Sequence, residues 1–565
     1  MNSSKPHVIR LGTIAAIVAV TAFAACKRSH TSDGDVSRNW VPPKLDEYMG
    51  VPAAEVQAAI GKRLTTPPPA SVSADQWKHV NKLYGTFNQS LLWLDDKGVH
   101  QPRVAALLNA VANADSDAIN VSALPLADLN RALHAIADKP TADQLADADV
   151  LLSSAFVAYG EDMLTGQVSP KGLSQAWHIN SQDEKVDSAL ALTIREDDLN
   201  AGLVRMRPQD PGYDSLRTAL GEYRALAAKG PWPTIPKGKQ LKRGDTDSPA
   251  RLDSLRGRLR AEGYLTSDSV AAPGKYDQTL AGAVADFQAR HSIAVDSMLG
   301  GETLDALNVP VSYRVAQIAS NLERYRWMPR SLGSRYVIVN VPQFYLQAYD
   351  SGQKSLEMKV IVGQEYEDKA TPVFSDSMEY VVFRPYWNVT PTIAAKEIFP
   401  KAAADPNYLA ANDMEVYNDH GRRAVRQRPG PKNSLGFVKF LFPNDYNIYL
   451  HDTPNHELFQ KDVRAFSHGC IRVEKPSELA QWALGWPADK VDAAMHGSDN
   501  HQVTLPKKIP VYIVYFTTFV QGGQLNFGND LYDRDSKLVE QVGEAALPTS
   551  ETTQIQDELR ALAKG

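Results

Sequence analysis

Cysteine is nearly absent: 565 residues hold two, Cys26 and Cys470. Cys26 falls in what reads as a processed leader, so Cys470 is left with no partner for a structural bridge. An excess of either charge is also missing. Sixty Lys and Arg stand against 66 Asp and Glu, a net of −6, which gives no electrostatic case for a nucleic-acid partner. Long apolar runs are missing too. The run from Leu11 to Ala25, interrupted by Gly12, Thr13 and Thr21, is too short for a membrane span.

That run follows Lys5 and Arg10 and precedes small residues, so residues 1–25 read as an export signal. Two cleavage readings stay open. Ala22-Phe23-Ala24 fits a small-x-small site, whereas Phe23-Ala24-Ala25-Cys26 resembles a bacterial lipobox with Phe where Leu is usual. In the second reading a lipid on Cys26 attaches the chain to a membrane, and residues 26–40 form a polar tether under both. Either way the mature chain is expected in the periplasm, where the lone Cys470 has no cysteine to pair with.

The length suggests about three or four domains. From residue 41 to 235 the periodicity is helical: Leu145, Ala148, Leu152, Phe156, Tyr159 and Met163 fall at three-and-four spacing, with Gly166 placed to stop the helix. Neither paired carboxylates nor ligand spacings stand out there, and the aromatic stripe reads as core. After a Pro, Gly and Lys linker, residues 249–310 form a compact three-helix unit. Leu252, Leu255 and Leu259 line its first helix, Asp277 caps the second over Ala283, Val284 and Phe287, and Thr303, Leu304 and Leu307 mark the third. Residues 314–532 open with a helix and turn to short strands at Tyr336–Val341, Phe344–Tyr349, Leu356–Val362, Tyr380–Phe383, Phe437–Phe440, Asn447–Leu450 and Val511–Phe519. The pattern predicts a multidomain α+β chain whose last large domain is mainly β, a sandwich or barrel. It lapses over residues 388–434, where helical signals give way to a Gly, Pro and Arg mix at Arg422–Pro431. The arginines there read as solvated surface. Residues 533–565 are charged, poor in aromatics, and expected to be a peripheral helix or loose tail.

The chemistry concentrates at Ser467-His468-Gly469-Cys470-Ile471-Arg472 and at His451, 19 residues before the cysteine. A lone cysteine is usually a small buried hydrophobe. Beside two histidines it is also a candidate nucleophile, since a thiolate needs a neighbour to take its proton. Gly469 lets the backbone bend and approach a substrate closely. Two other chemistries find weaker support. Ser351-Gly352-Gln353-Lys354 matches Ser-x-x-Lys but sits on a hairpin turn without a Lys-Thr-Gly partner, and His456-Glu457 lacks the second histidine of a zinc pair.

The blocks Leu450-His451-Asp452-Thr453-Pro454 and Arg464 to Val473 resemble the His…Ser-His-Gly-Cys-x-Arg motif of the L,D-transpeptidases, the YkuD-type catalytic domain. Leu91 to Leu94, Asp162 to Pro170 and Asn321 to Arg330 look like the helical scaffold and connector of the large Gram-negative members, and residues 249–310 resemble their small peptidoglycan-binding domain. The resemblance implies Cys470 as nucleophile and His451 as proton acceptor and donor. His468 is then a supporting residue, and the amides of Gly469 and Cys470 are the oxyanion donors. Arg472 would order the turn or meet a substrate carboxylate, and a helix starting at Pro476 would add its dipole to the thiolate. Tyr386, Trp387 and Asn388 would line the acceptor side beneath a cap at 388–434. The implied reaction acylates Cys470 with the diaminopimelate carbonyl of a peptidoglycan tetrapeptide stem, expels D-Ala, and passes the acyl group to another stem. It needs no cofactor and no metal, and other wall-synthesis proteins are conceivable partners. L,D-carboxypeptidase trimming and non-catalytic wall binding are the alternatives. Deleting residues 252–309 is expected to reduce co-sedimentation with purified sacculi; unchanged sedimentation would make that unit a spacer.

Overall fold

The computed structural model describes residues 40–173, 177–179, 186–266, 272–365, 369–543 and 546–564. The expected export signal, Cys26 and all of the tether except Trp40 lie outside the described residues. Among the described residues no helix is long and apolar enough to cross a membrane.

The N-terminal helices include α1 (Gln101–Ala112) and the long α2 (Ala142–Thr165). Thr141 and Gln144 bond each other's backbone N–H groups reciprocally at the start of α2, satisfying donors that a helix start leaves open. Apolar on nearly every side, α2 forms the axis of this bundle, and the six residues expected on its inward face are all buried. Gly166 ends it at φ +87, a backbone region that disfavours a Cβ.

The chain then contributes strand β1 (Trp177–His178) and helix α3 (Pro211–Ala227). The inward face of α3, with Tyr213, Leu216 and Leu220, joins the core of the β domain rather than the helical core. Helices α4 (Pro249–Ala261), α5 (Gln278–Arg290) and α6 (Gly301–Leu307) enclose a separate small core of Leu252, Leu255, Leu259, Val284 and Phe287. Asp277 caps α5 by accepting from the Leu280 N–H. Helix α7 (Val311–Arg326), buried along most of its length, leads into the β domain.

That domain is a closed barrel. Its walls are β2 (Arg335–Asn340), β3 (Tyr345–Asp350), β4 (Gln353–Gly363) and β5 (Val373–Phe383), which precede a cap holding β6 (Trp387–Asn388), β7 (Met414–Asp419) and β8 (Arg422–Gln427). They are followed by β9 (Val438–Leu441), β10 (Leu450–His451), β11 (Ala465–Ser467), β12 (Ile471–Val473), helix α8 (Pro476–Leu484) and β13 (His501–Val514). The hydrogen-bonded order is β9-β10-β12-β4-β3-β2-β13-β5, and β5 pairs with β9 to close the ring. Strand β1 adds in parallel beside β5, and β11 beside β4. A hairpin, β14 (Thr518–Gln521) with β15 (Gln524–Phe527), precedes helices α9 (Ser536–Gly543) and α10 (Ser550–Leu562).

The multidomain α+β expectation holds, with a barrel as the β architecture. The differences are local. The strand expected at Asn447–Leu450 shrinks to Leu450–His451, because the Asn444 side chain bonds the backbone of Phe442, Tyr446 and Ile448 and holds a turn with Asn447 at φ +55. The Val511–Phe519 run breaks where the Thr517 N–H turns to the Asn321 carboxamide. The Arg422–Pro431 mix contains strand β8, since His420 and Gly421, both at positive φ, make a tight hairpin turn. Of the two forms expected for the tail, the helical one is present, and it is docked. Leu538 and Val542 of α9 enter the barrel's core, and α10 returns to the helical bundle. There Gln556 and Arg560 donate to the Ala112 carbonyl at the C-terminal end of α1, an acceptor the helix itself leaves open.

The helical and β domains meet over an ion pair on α7. The Glu323 carboxylate accepts from Arg326 at 2.5 Å and from the Val168 N–H at 2.8 Å, and both side chains are wholly buried. Arg326 also donates to the Asp117 carbonyl and the Tyr213 hydroxyl. Trp327 donates to the Val168 carbonyl, and a Cβ on Gly166 would lie 2.4 Å from Glu323. Removing one member of such a pair leaves a buried charge unpaired. Glu323→Ala is therefore expected to cost about 3–5 kcal/mol in chemical denaturation, and adding Arg326→Met should recover part of that loss.

Candidate active site

Strand register places the site. Strands β10 and β12 run parallel, with Leu450 opposite Ile471 and His451 opposite Arg472. Successive side chains alternate faces, so Leu450 and Ile471 are fully buried in the barrel's core, and Tyr449, His451, Cys470 and Arg472 share the other face. On the far side of β10, Lys439 of β9 pairs with His451 and adds an ammonium to that face. Two blocks 19 residues apart in sequence thus become neighbours through one ladder.

His451 is 4% exposed, and its Nδ1 donates to the Asp452 carbonyl at 2.6 Å. That bond sets the tautomer and leaves Nε2 as acceptor. Burial, with Arg472 and then Lys439 adding positive charge nearby, brings its pKa down to about 3, so the ring is neutral at pH 7. Cys470 is half-buried, and its Sγ lies 3.6 Å from the Asn447 carbonyl. Burial pushes the thiol up to about 11, while the Tyr449 amide and hydroxyl, Lys439 and Arg472 act in the opposite direction. The resting pair is therefore thiol and imidazole, not thiolate and imidazolium. No hydrogen bond joins Sγ to His451 among the described residues, a common state of catalytic pairs without substrate.

The turn before Cys470 is held from inside. Ser467, buried, donates from Oγ to the Cys470 carbonyl at 2.5 Å and accepts from the Gly469 N–H at 3.1 Å. Thr371, wholly buried, donates to the Gly469 carbonyl at 2.8 Å. Gly469 itself sits at φ +113, where a side chain would be strained. This geometry corrects one expectation. The Gly469 amide is bonded to Ser467 and is not an oxyanion donor, whereas no acceptor takes the Cys470 amide among the described residues. It corrects a second as well. Strand β12 separates Cys470 from helix α8, and a helix dipole fades within a turn, so α8 contributes little to a thiolate.

The other expected residues lie as follows. Arg472 is half-buried on the site face, and its guanidinium makes no hydrogen bond among the described residues, with the charges of Cys470 and Glu457 nearby. His468 is engaged by the cap: its Nε2 lies 2.6 Å from Glu397 Oε1. There, burial works against the Glu397 charge, but His468, Lys369 and Lys401 outweigh it and hold the carboxyl below its usual range. Tyr386, Trp387 and Asn388 make their contacts within the cap. Trp387 and Asn388 pair with β8, Trp387 packs on the cap's own small core, and Tyr386 lies under Arg426. Two of the cap's arginines, Arg426 and Arg428, pair with Glu415. Lys439, Tyr449, Ser467 and Thr371 are the contributors that sequence reasoning left without a role. Period-two spacing from His451 back to Tyr449 was a usable signal; Lys439 and Thr371 arrive only through barrel closure.

Three family models match parts of the chain. Residues 334–513 match the family model "L,D-transpeptidase catalytic domain", 78–220 the "Scaffold domain", and 249–307 the "Putative peptidoglycan binding domain". A Haemophilus influenzae protein named "Putative L,D-transpeptidase" is 30% identical over 272 residues, 44% of this chain and 55% of that protein. The chain thus spans about half the length of that relative. A crystal structure of an L,D-transpeptidase from Xylanimonas cellulosilytica is 16% identical and covers 49% of this chain and 99% of its own, at a TM-score of 0.17. A fused Zn-dependent amidase/peptidase/peptidoglycan-binding domain-containing protein from Clostridium acetobutylicum is 14% identical, with 49% and 100% coverage and a TM-score of 0.14.

A thiol raised to about 11 beside an imidazole lowered to about 3 has a distinctive pH signature. Because the thiolate is the reacting form, alkylation of Cys470 by iodoacetamide should climb about tenfold per pH unit from pH 7 to 9.5 without a plateau. A plateau near pH 6 would mean a preformed ion pair instead.

Proposed function

We propose that this chain is a cysteine acyltransferase of the cell wall, an L,D-transpeptidase that works outside the cytoplasm. The observation that carries the reading is the shared face: a half-buried thiol, a buried neutral imidazole with Nε2 open, and two cations, Lys439 and Arg472, beside the sulfur.

In this mechanism the third-residue carbonyl of a tetrapeptide stem settles at Cys470. Sγ attacks the carbonyl carbon as its proton passes to His451 Nε2. Lys439 and Arg472 favour the negative charge that forms on sulfur, and the Cys470 N–H faces the oxyanion. Collapse breaks the amide bond, and the D-Ala amine leaves with the proton held by His451. The thioester keeps the acyl group activated, so no ATP is consumed. The side-chain amine of a second stem then attacks the thioester, His451 takes its proton and returns it to the departing sulfur, and a 3→3 cross-link remains. Arg472, whose guanidinium makes no hydrogen bond among the described residues, is suited to a stem carboxylate. Residues 249–307 would hold the strand from which the stem projects, and a lipid on Cys26 would fix the chain to a membrane.

Cys470→Ala is expected to abolish the acyl-enzyme mass adduct formed with tetrapeptide while circular dichroism stays that of the parent. Muropeptide mass spectrometry after incubation with tetrapeptide-rich sacculi should give a dimer joined through two diaminopimelates. Tripeptide alone would mean an L,D-carboxypeptidase, and unchanged muropeptides with retained sacculus binding would mean a wall-binding protein.

A further inference from the structure

The cap over residues 388–434 is built on its own small core of Val389, Ala394, Ile398 and Val425, separate from the core of the barrel. A segment with so small a core needs polar ties to hold a fixed distance from the catalytic turn. One such tie reaches the residue two positions before the nucleophile. Glu397 sits in a π-helical turn, Ala394–Ile398, whose Ala394 and Ile398 face the cap's core. Its Oε1 lies 2.6 Å from His468 Nε2 and 3.9 Å from Lys369 Nζ. Lys369 in turn donates to Gln364 at the end of β4, and its carbonyl abuts Gly469. Single wide turns of this kind recur at functional sites, because the extra residue re-aims a side chain.

We propose that Glu397 and His468 are positioning residues that latch the cap to the catalytic turn and set the width of the cleft that admits the stem peptide. The proposal rests on the acyl-transfer reading for its kinetic consequence and on geometry alone for its structural one. His468 is then kept out of the proton relay by its bond to Glu397. The pair is about one-third exposed on each side chain, so solvent weakens it. Its loss should act on binding of a bulky donor rather than on the chemistry of bond breaking.

The test uses the full-length chain in three forms: Glu397→Ala, Glu397→Gln and the double variant with His468→Ala. For Glu397→Ala the expected result is a KM for tetrapeptide raised about two- to five-fold, as for partly exposed ion pairs, with kcat changed less than KM. Amide exchange across residues 391–411 should quicken, and Glu397→Gln, which keeps an acceptor, should fall between. Adding His468→Ala to Glu397→Ala should cause no further rise in KM. An unchanged KM, a loss confined to kcat, or additive losses in the double variant would overturn the latch. Were the parent protein to form no acyl-enzyme, acyl transfer itself would fall, and exchange would still decide: equal cap exchange in parent and Glu397→Ala overturns the latch, and faster exchange upholds it.

Discussion

The whole site depends on the register of two short parallel strands. Pairing of Leu450 with Ile471 buries two aliphatic side chains in the barrel and, by period-two alternation, sends His451 and Cys470 to the same outer face. A slip of one residue would exchange the faces, exposing Leu450 and Ile471 and burying the thiol. The hydrophobic core therefore enforces the relative placement of the imidazole and the thiol, and their alignment and folding are one constraint. Ring closure strengthens it: β9 bonds to both β10 and β5, so the ladder carrying His451 has no free edge along which to shift.

Around that ladder the protein arranges charge without forming an ion pair at rest. Burial keeps the thiol protonated and the imidazole neutral, while the positive charges of Lys439 and Arg472 favour the thiolate and disfavour the imidazolium. A neutral resting dyad is chemically quiet. It protects the lone cysteine from casual electrophiles and oxidants, whose attack follows thiolate character.

The cysteine and histidine of the candidate site were legible in the sequence because they lie in two contiguous blocks rich in chemical groups. So were the helices with clean spacing and caps, such as the one ended by Gly166, and the long strands of the barrel. What was not legible depends on partners distant in sequence. The Gly469 amide looked available until the Ser467 hydroxyl was seen to take it, and the dipole of the helix at Pro476 looked close until three residues of strand intervened. Residues Tyr386 to Asn388 read as cleft wall on position alone, yet their neighbours are the cap's own sheet. The C-terminal segment, polar and poor in aromatics, allowed a peripheral helix but concealed its docking, because each of its two helices buries only a few apolar residues and gains the rest from contacts with other domains.

Strand β1, contributed by the helical region, bonds directly to barrel strand β5. The modules are consequently not beads on a string. A gene fragment cut between them would expose an unpaired β edge beside the core, and any recombination that preserves solubility must carry the two pieces across together.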